Sequence, residues 1–147
     1  MAAADPARPR VLFLCTGNSC RSQIAEGWLR HLAGDRFEAL SAGVEAHGLN
    51  PLAVAVMAEA GVDISGQSSD LVERYAATPI AWFVTVCDHA QAACPVTPQG
   101  SAVLHWSFAD PPALARQRGL EGEAAKVIYR QVRDEIREAV ADFAASH

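Results

Sequence analysis

The chain reads as an α/β protein: a single domain on a four-stranded parallel sheet, with helices on both faces and an anion-binding loop at one sheet edge. Three observations predict this. Short apolar runs alternate with stretches of helical periodicity, the pattern of right-handed β–α–β crossovers. The first apolar run ends in Cys15-Thr16-Gly17-Asn18-Ser19-Cys20-Arg21, a small polar loop that leads straight into a helical pattern. The length, 147 residues with half of them hydrophobic, suits one compact core.

Taken in order, residues 1–9 are Ala/Pro-rich and read as a disordered tail, leaving 10–147 as the domain. Residues 11–14 are continuously apolar, as in a central strand buried on both faces. Residues 22–33 carry Ile24, Trp28, Leu29 and Leu32 at helical spacing, stopped by Gly34. A second short strand covers 37–41 and turns at Ala42-Gly43. Asn50-Pro51 opens the next helix, Asn as N-cap and Pro at the first helical position, and Gly61 closes it after Met57 and Ala60. Asp70-Leu71-Val72-Glu73 reads as the capped start of a third helix. Residues 80–86 form a third buried strand, ending at Cys87, and 102–106 a fourth. Residues 121–145 form the longest helix, with Ile128, Val132, Ile136, Val140 and Phe143 on one stripe.

Charge and composition narrow the function. A net charge of −5 argues against a nucleic-acid partner, which calls for a basic face. Any anion site must then be made by local geometry. The apolar run after the tail is too short for a signal segment or a membrane span, which points to a cytoplasmic protein without a membrane partner. In that reducing compartment four cysteines suit catalytic, redox or metal-binding roles better than structural disulfides. His31, His47, His89, His105 and His147 lack metal-ligand spacing and default to core, surface or capping roles. Trp28, Trp82 and Trp106 serve the core or line the cleft.

The loop after the first strand carries chemistry. Strand, tight loop and helix N-terminus aim the amides of Thr16, Gly17, Asn18, Ser19, Cys20, Arg21 and Ser22 at one point, and the helix dipole favours negative charge there. The same field makes a cysteine nucleophilic, which singles out Cys15. Arg21 adds a planar fork suited to phosphate-like oxygens. Ser22 could donate to the Cys15 sulfur, and Asn18 tolerates a strained backbone. Asp110 is pushed into an extended conformation by Pro111 and could protonate a leaving oxygen. Ligand crevices in parallel sheets lie beyond the carboxyl ends of the strands, so Cys15, Cys87 and Asp110 should meet at one edge. Plainer alternatives stand beside each: a core cysteine with an unrelated surface arginine, turn and cap chemistry for Asn18 and Ser22, an ordinary loop aspartate at 110.

Cys87 and Cys94 enclose a helix-like segment followed by Pro95. In a straight helix their Cα atoms would lie roughly 10 Å apart, at about 1.5 Å per residue. A disulfide needs Cα atoms within about 7 Å. If the two pair, the segment must bend or unwind, which makes it a candidate redox switch; two unrelated buried thiols are the other reading.

The run from Cys15 through Arg21-Ser22-Gln23 to Trp28 resembles the thioredoxin-coupled arsenate reductases of the low-molecular-weight tyrosine phosphatase fold. The similarity continues through Ser41-Ala42-Gly43, His47-Gly48-Leu49-Asn50-Pro51, Ser68-Ser69-Asp70-Leu71, the stretch 84–95, the stretch 105–111 and the stretch 132–136. The three-cysteine arrangement is its specific part, because a phosphatase would share Cys15, Arg21 and Asp110 without needing Cys87 or Cys94. The phosphatases also carry Asp-Pro-Tyr where this chain has Asp110-Pro111-Pro112. The resemblance implies that Cys15 attacks arsenate, that Cys87 and then Cys94 resolve the adduct, and that thioredoxin reduces the final disulfide. It implies phosphate or sulfate as competing anions, a monomer, and no tightly bound cofactor. In some relatives a potassium ion sits near the loop, and its ligands would match Asn18, Glu26, Ser41 and Asp70. A tyrosine phosphatase with incidental cysteines and a non-enzymatic redox or anion sensor are the competing expectations.

Overall fold

A computed structural model describes residues 8–86 and 101–147. The first apolar run lies at the centre of the sheet. In β1, Arg10–Cys15, every residue from Val11 onward is buried. β2, Glu38–Gly43, pairs with one side of β1; β3, Trp82–Thr85, pairs with the other, and β4, Ala102–His105, extends the sheet beyond β3. The order is β2-β1-β3-β4 and every pairing is parallel. Leu14 stands between Ala42 and Thr85, so the carboxyl ends of three strands share one edge. Cys15 leaves the sheet beside Gly43.

The helices close the core over this sheet. α1, Arg21–Ala33, begins where the polar loop ends. α2, Pro51–Glu59, is capped by Asn50, whose side chain accepts the Leu52 and Ala53 amides at 2.8 and 3.2 Å. α3, Pro111–Gln117, is short; α4, Gly122–Ser146, is the longest. The α4 stripe of Ile128, Val132, Ile136, Val140 and Phe143 is buried throughout. Trp28 Nε1 donates to the Arg133 carbonyl at 3.1 Å, tying α1 to α4. Arg133 Nη1 donates to the Val56 carbonyl at 2.8 Å, tying α4 to α2. Leu12, Phe13, Leu14, Ile24, Leu29, Met57 and Ile136 are among the fully buried side chains, and their removal from water is the main favourable term in folding. Trp82 meets Phe37 and Phe143 edge-on beside them, and Phe37 and Phe143 are tilted against each other, at centroid distances of 5.3 to 5.9 Å.

Several expectations need correction. The third helix is only a 3-10 turn, Val72–Tyr75, with no side-chain cap. Asp70 and Leu71 are held in extended pairing with Gly43, whose amide donates to the Asp70 carbonyl at 2.9 Å, so this backbone cannot turn into a helix there. Leu32 is 37% exposed, because Leu29 and Ala33 take the inward positions of α1. β2 is displaced to Glu38–Gly43, and the third strand contracts to Trp82–Thr85. α3 went unread: Pro111 and Pro112 suggest a loop, yet proline suits a helical first turn, where its missing N–H costs nothing. Cys87, Cys94 and the connection across to β4 lie outside the described residues.

Candidate active site

The polar loop is shaped from outside. Each of its five carbonyls has a donor: Glu45 N on Thr16 at 2.8 Å, His47 N on Gly17 at 2.9 Å, Gln23 Nε2 on Asn18 at 2.9 Å, Asn50 N on Ser19 at 2.9 Å and Ile24 N on Cys20 at 2.9 Å. Among the described residues, the amides of Gly17, Asn18, Ser19 and Cys20 donate to no backbone carbonyl. With the acceptors consumed elsewhere, the loop keeps its donors for an anion, at the positive end of α1. Asn18 makes the turn with φ +48°, a left-handed conformation that asparagine tolerates better than most residues. Gly43 is required by close approach, since a Cβ there would sit 2.3 Å from Glu45 O and 2.7 Å from Asn18 N.

Cys15 is buried at the floor, its Sγ 2.9 Å from Ser22 Oγ. Asn18 Nδ2 donates to the same hydroxyl oxygen at 2.9 Å. That donation uses a lone pair of Ser22 and leaves its proton free to point at sulfur, the arrangement that favours a thiolate. Asn18 Nδ2 also donates to Ser41 Oγ at 3.0 Å, and Asn18 Oδ1 accepts the Asp70 amide at 2.7 Å. Gln23, fully buried, joins the loop to the far segment by donating to the Ser68 carbonyl at 2.8 Å. Burial first, and then the neighbouring Cys15, push the Cys20 thiol well above its ordinary range, so Cys20 stays protonated and is no rival nucleophile.

Arg21 and Asp110 meet as the sequence order of strand ends requires. Arg21 Nη2 lies 3.5 Å from Asp110 Oδ2, and Arg21 Nη1 donates to the Phe108 carbonyl at 3.0 Å. Asp110 has the extended backbone expected before proline and accepts the Ala113 amide at 3.4 Å as the cap of α3. A cavity of about 210 Å³ is lined by Cys15, the loop, Arg21 and Asp110, together with His47, Pro112 and Arg116. The last three were not legible as site residues. His47 is held by a hydrogen bond of 2.5 Å from Nε2 to Glu45 Oε1, with its Nδ1 over Gly17. Arg116 reaches the cavity only because α3 is a helix.

Asn18, Glu26, Ser41 and Asp70 are brought together, as the expected cation ligands would be. Ser41 Oγ donates to Glu26 Oε1 at 2.5 Å, and Arg30 pairs with Glu26 Oε2. Asp70 Oδ1 pairs with Arg74 at 2.8 Å, and Asp70 Oδ2 accepts from Ser68 Oγ at 2.6 Å. All four carboxylate oxygens thus have protein donors, and two guanidinium groups balance the two charges. As arranged, this set does not fit an added cation. Burial raises the Glu26 carboxyl above its usual range, against the opposing pull of Ser41 and Arg30. Among the described residues no three His, Cys, Asp or Glu side chains could hold a metal together.

Comparison with known proteins decides the lineage. Residues 10–146 match the family described as low molecular weight phosphotyrosine protein phosphatase. The chain belongs to this family. Within it, the chain is 46% identical to an arsenate reductase of Halalkalibacterium halodurans over 134 residues, 91% of this chain and 94% of that protein. Among solved structures it resembles an arsenate reductase in the phosphate binding state, with a TM-score of 0.73 and 31% identity over 94% of this chain and 98% of that one. It also resembles a thioredoxin-dependent arsenate reductase of Corynebacterium glutamicum, with a TM-score of 0.69 and 27% identity over 98% of this chain and 66% of that one. The resemblance read from the Cys15 loop is therefore borne out. No helix among the described residues is long and apolar enough to cross a membrane.

Proposed function

We propose that this protein reduces arsenate to arsenite through a relay of three cysteines. The observation that carries the reading is the loop at Cys15: a buried thiol under a ring of amides whose carbonyls are all engaged outside the cavity. The arsenate reductases among its relatives give that thiol its substrate class.

In this mechanism the loop amides and Arg21 hold the arsenate oxygens, and the Cys15 thiolate attacks arsenic. Asp110 gives its proton to the departing oxygen, which leaves as water, and an S–As(V) bond forms. Cys87 then attacks the Cys15 sulfur as a thiolate. A Cys15–Cys87 disulfide forms, the S–As bond breaks, and its electron pair stays on arsenic, which leaves as arsenite. Cys94 displaces Cys15 from Cys87, and an external dithiol protein, thioredoxin in this reading, reduces the Cys87–Cys94 disulfide. Each exchange needs a thiolate and in-line access to a sulfur. The need for a reducing pool fits a cytoplasmic enzyme.

The test is arsenite release in the presence of thioredoxin, thioredoxin reductase and NADPH. Multiple turnover should be lost on replacing Cys15, Cys87 or Cys94 singly with serine. A fully active Cys94→Ser variant would contradict the relay. The family match and the Arg21–Asp110 pair also support a second reading, phosphatase chemistry. Brisk aryl-phosphate turnover that survives Cys87→Ser and Cys94→Ser, without arsenite release, would favour it.

A further inference from the structure

The anion cavity is lined by three side chains that carry or can take positive charge, and two are already committed. Arg21 spends its fork on the Phe108 carbonyl and Asp110. His47 is bonded through Nε2 to Glu45. Arg116, in the last turn of α3, lines the same cavity, is exposed, and its side chain makes no ion pair or hydrogen bond among the described residues. Pro112, one helical turn before it, also lines the cavity, so the α3 face that closes the site carries Arg116 at its outer end. The chain as a whole is negative, at −5, so an incoming anion meets net repulsion until it reaches this group.

We propose that Arg116 recruits the substrate: its exposed guanidinium captures a tetrahedral inorganic oxyanion at the cavity mouth and passes it to the Cys15 loop. The proposal rests on the reading of the cavity as an arsenate site and extends it with a residue outside the Cys15–Arg21 loop. A guanidinium matches such oxygens geometrically, and a cation at the mouth of a cleft raises local anion concentration in a salt-dependent way.

The experiment uses inorganic phosphate as probe, titrated into the reduced full chain while the amide resonances of residues 16–22 are followed. In Arg116→Gln the dissociation constant should rise about 10-fold at low ionic strength, with Arg116→Lys recovering most of the loss. The gap should shrink below about 2-fold near 1 M salt, where screening is nearly complete. In arsenate turnover the loss should fall on KM, with kcat moving far less. Equal phosphate affinity of wild type and Arg116→Gln at low salt, a gap that persists at high salt, or no recovery by lysine would each overturn the proposal. Wild type that binds phosphate at these amides but releases no arsenite would sink the reductase reading and leave the role of Arg116 to be decided by the binding series.

Discussion

The Ser22 hydroxyl lies 2.9 Å from the Cys15 sulfur and takes the Asn18 amide at the same distance. One oxygen thus accepts from one side so that its proton can be given to the other. A hydrogen bond to a charged group contributes about 1.5–3 kcal/mol, so Ser22→Ala should slow Cys15 alkylation by iodoacetamide at neutral pH by about 10- to 100-fold. Phosphate affinity should change little, because the loop amides remain. An unchanged alkylation rate would show that the hydroxyl does not serve the thiolate.

Asp110 holds two posts at once, beside Arg21 and at the cap of α3. Asparagine caps a helix as well as aspartate does but cannot supply the proton. Asp110→Asn should therefore stay within about 0.5 kcal/mol of wild type in urea unfolding while turnover falls about 10²- to 10⁴-fold. Asp110→Ala should lose about 0.5–2 kcal/mol of stability as well. Equal turnover in wild type and Asp110→Asn would remove the general-acid role.

Two glycines near the loop should answer differently to alanine. A Cβ at Gly17 meets the His47 ring, 2.4 Å from Nδ1 and 2.9 Å from Cγ, on an exposed side chain that can rotate aside. A Cβ at Gly43 meets backbone, Glu45 O at 2.3 Å and Asn18 N at 2.7 Å. Gly17→Ala should cost less than about 1 kcal/mol, whereas Gly43→Ala should cost about 1–3 kcal/mol or more and weaken phosphate binding by displacing the loop. Thermal melts of the two variants would check the ordering; equal losses would contradict it.

Glu26 should give stability an unusual pH term. Its carboxyl is raised by burial, so the folded state binds the proton more readily than the unfolded chain. That contribution is fully present below the unfolded carboxyl range and is lost as pH rises through the raised folded value. Between about pH 4 and pH 7 the stability gap should therefore move in favour of Glu26→Gln, which lacks the penalty of ionising in a buried place. Urea midpoints across that range would measure it, and a gap that does not move with pH would overturn the assignment.

What could be read beforehand was whatever neighbouring residues encode. Cys15, Arg21 and Ser22 are set by one strand, one loop and one helix start, all contiguous. Asp110 could be placed at the same edge because parallel strands end together. The α4 stripe was plain because a 25-residue helix repeats its period many times. Contacts between distant segments were not legible. Three of the five carbonyl partners of the loop, Glu45, His47 and Asn50, come from a distant segment, and no spacing announces them. Arg116 was hidden because paired prolines suggested a loop where a helix starts. The turn at Val72–Tyr75 misled because Asp70 has the look of a cap, yet its backbone is claimed by Gly43.

The five outward-bonded carbonyls make the signature loop a poor candidate for transplantation. Grafted alone onto another strand–loop–helix unit, Cys15 to Arg21 would leave the carbonyls of Thr16, Gly17, Asn18 and Ser19 free to turn inward and repel the oxyanion. A working graft would have to bring Gln23, the stretch from Gly43 to Asn50, and Asp70 with it. The heptapeptide is thus the visible tip of a device spread over about 55 residues of chain, and a sequence carrying the tip without its distant anchors should fold without gaining the affinity.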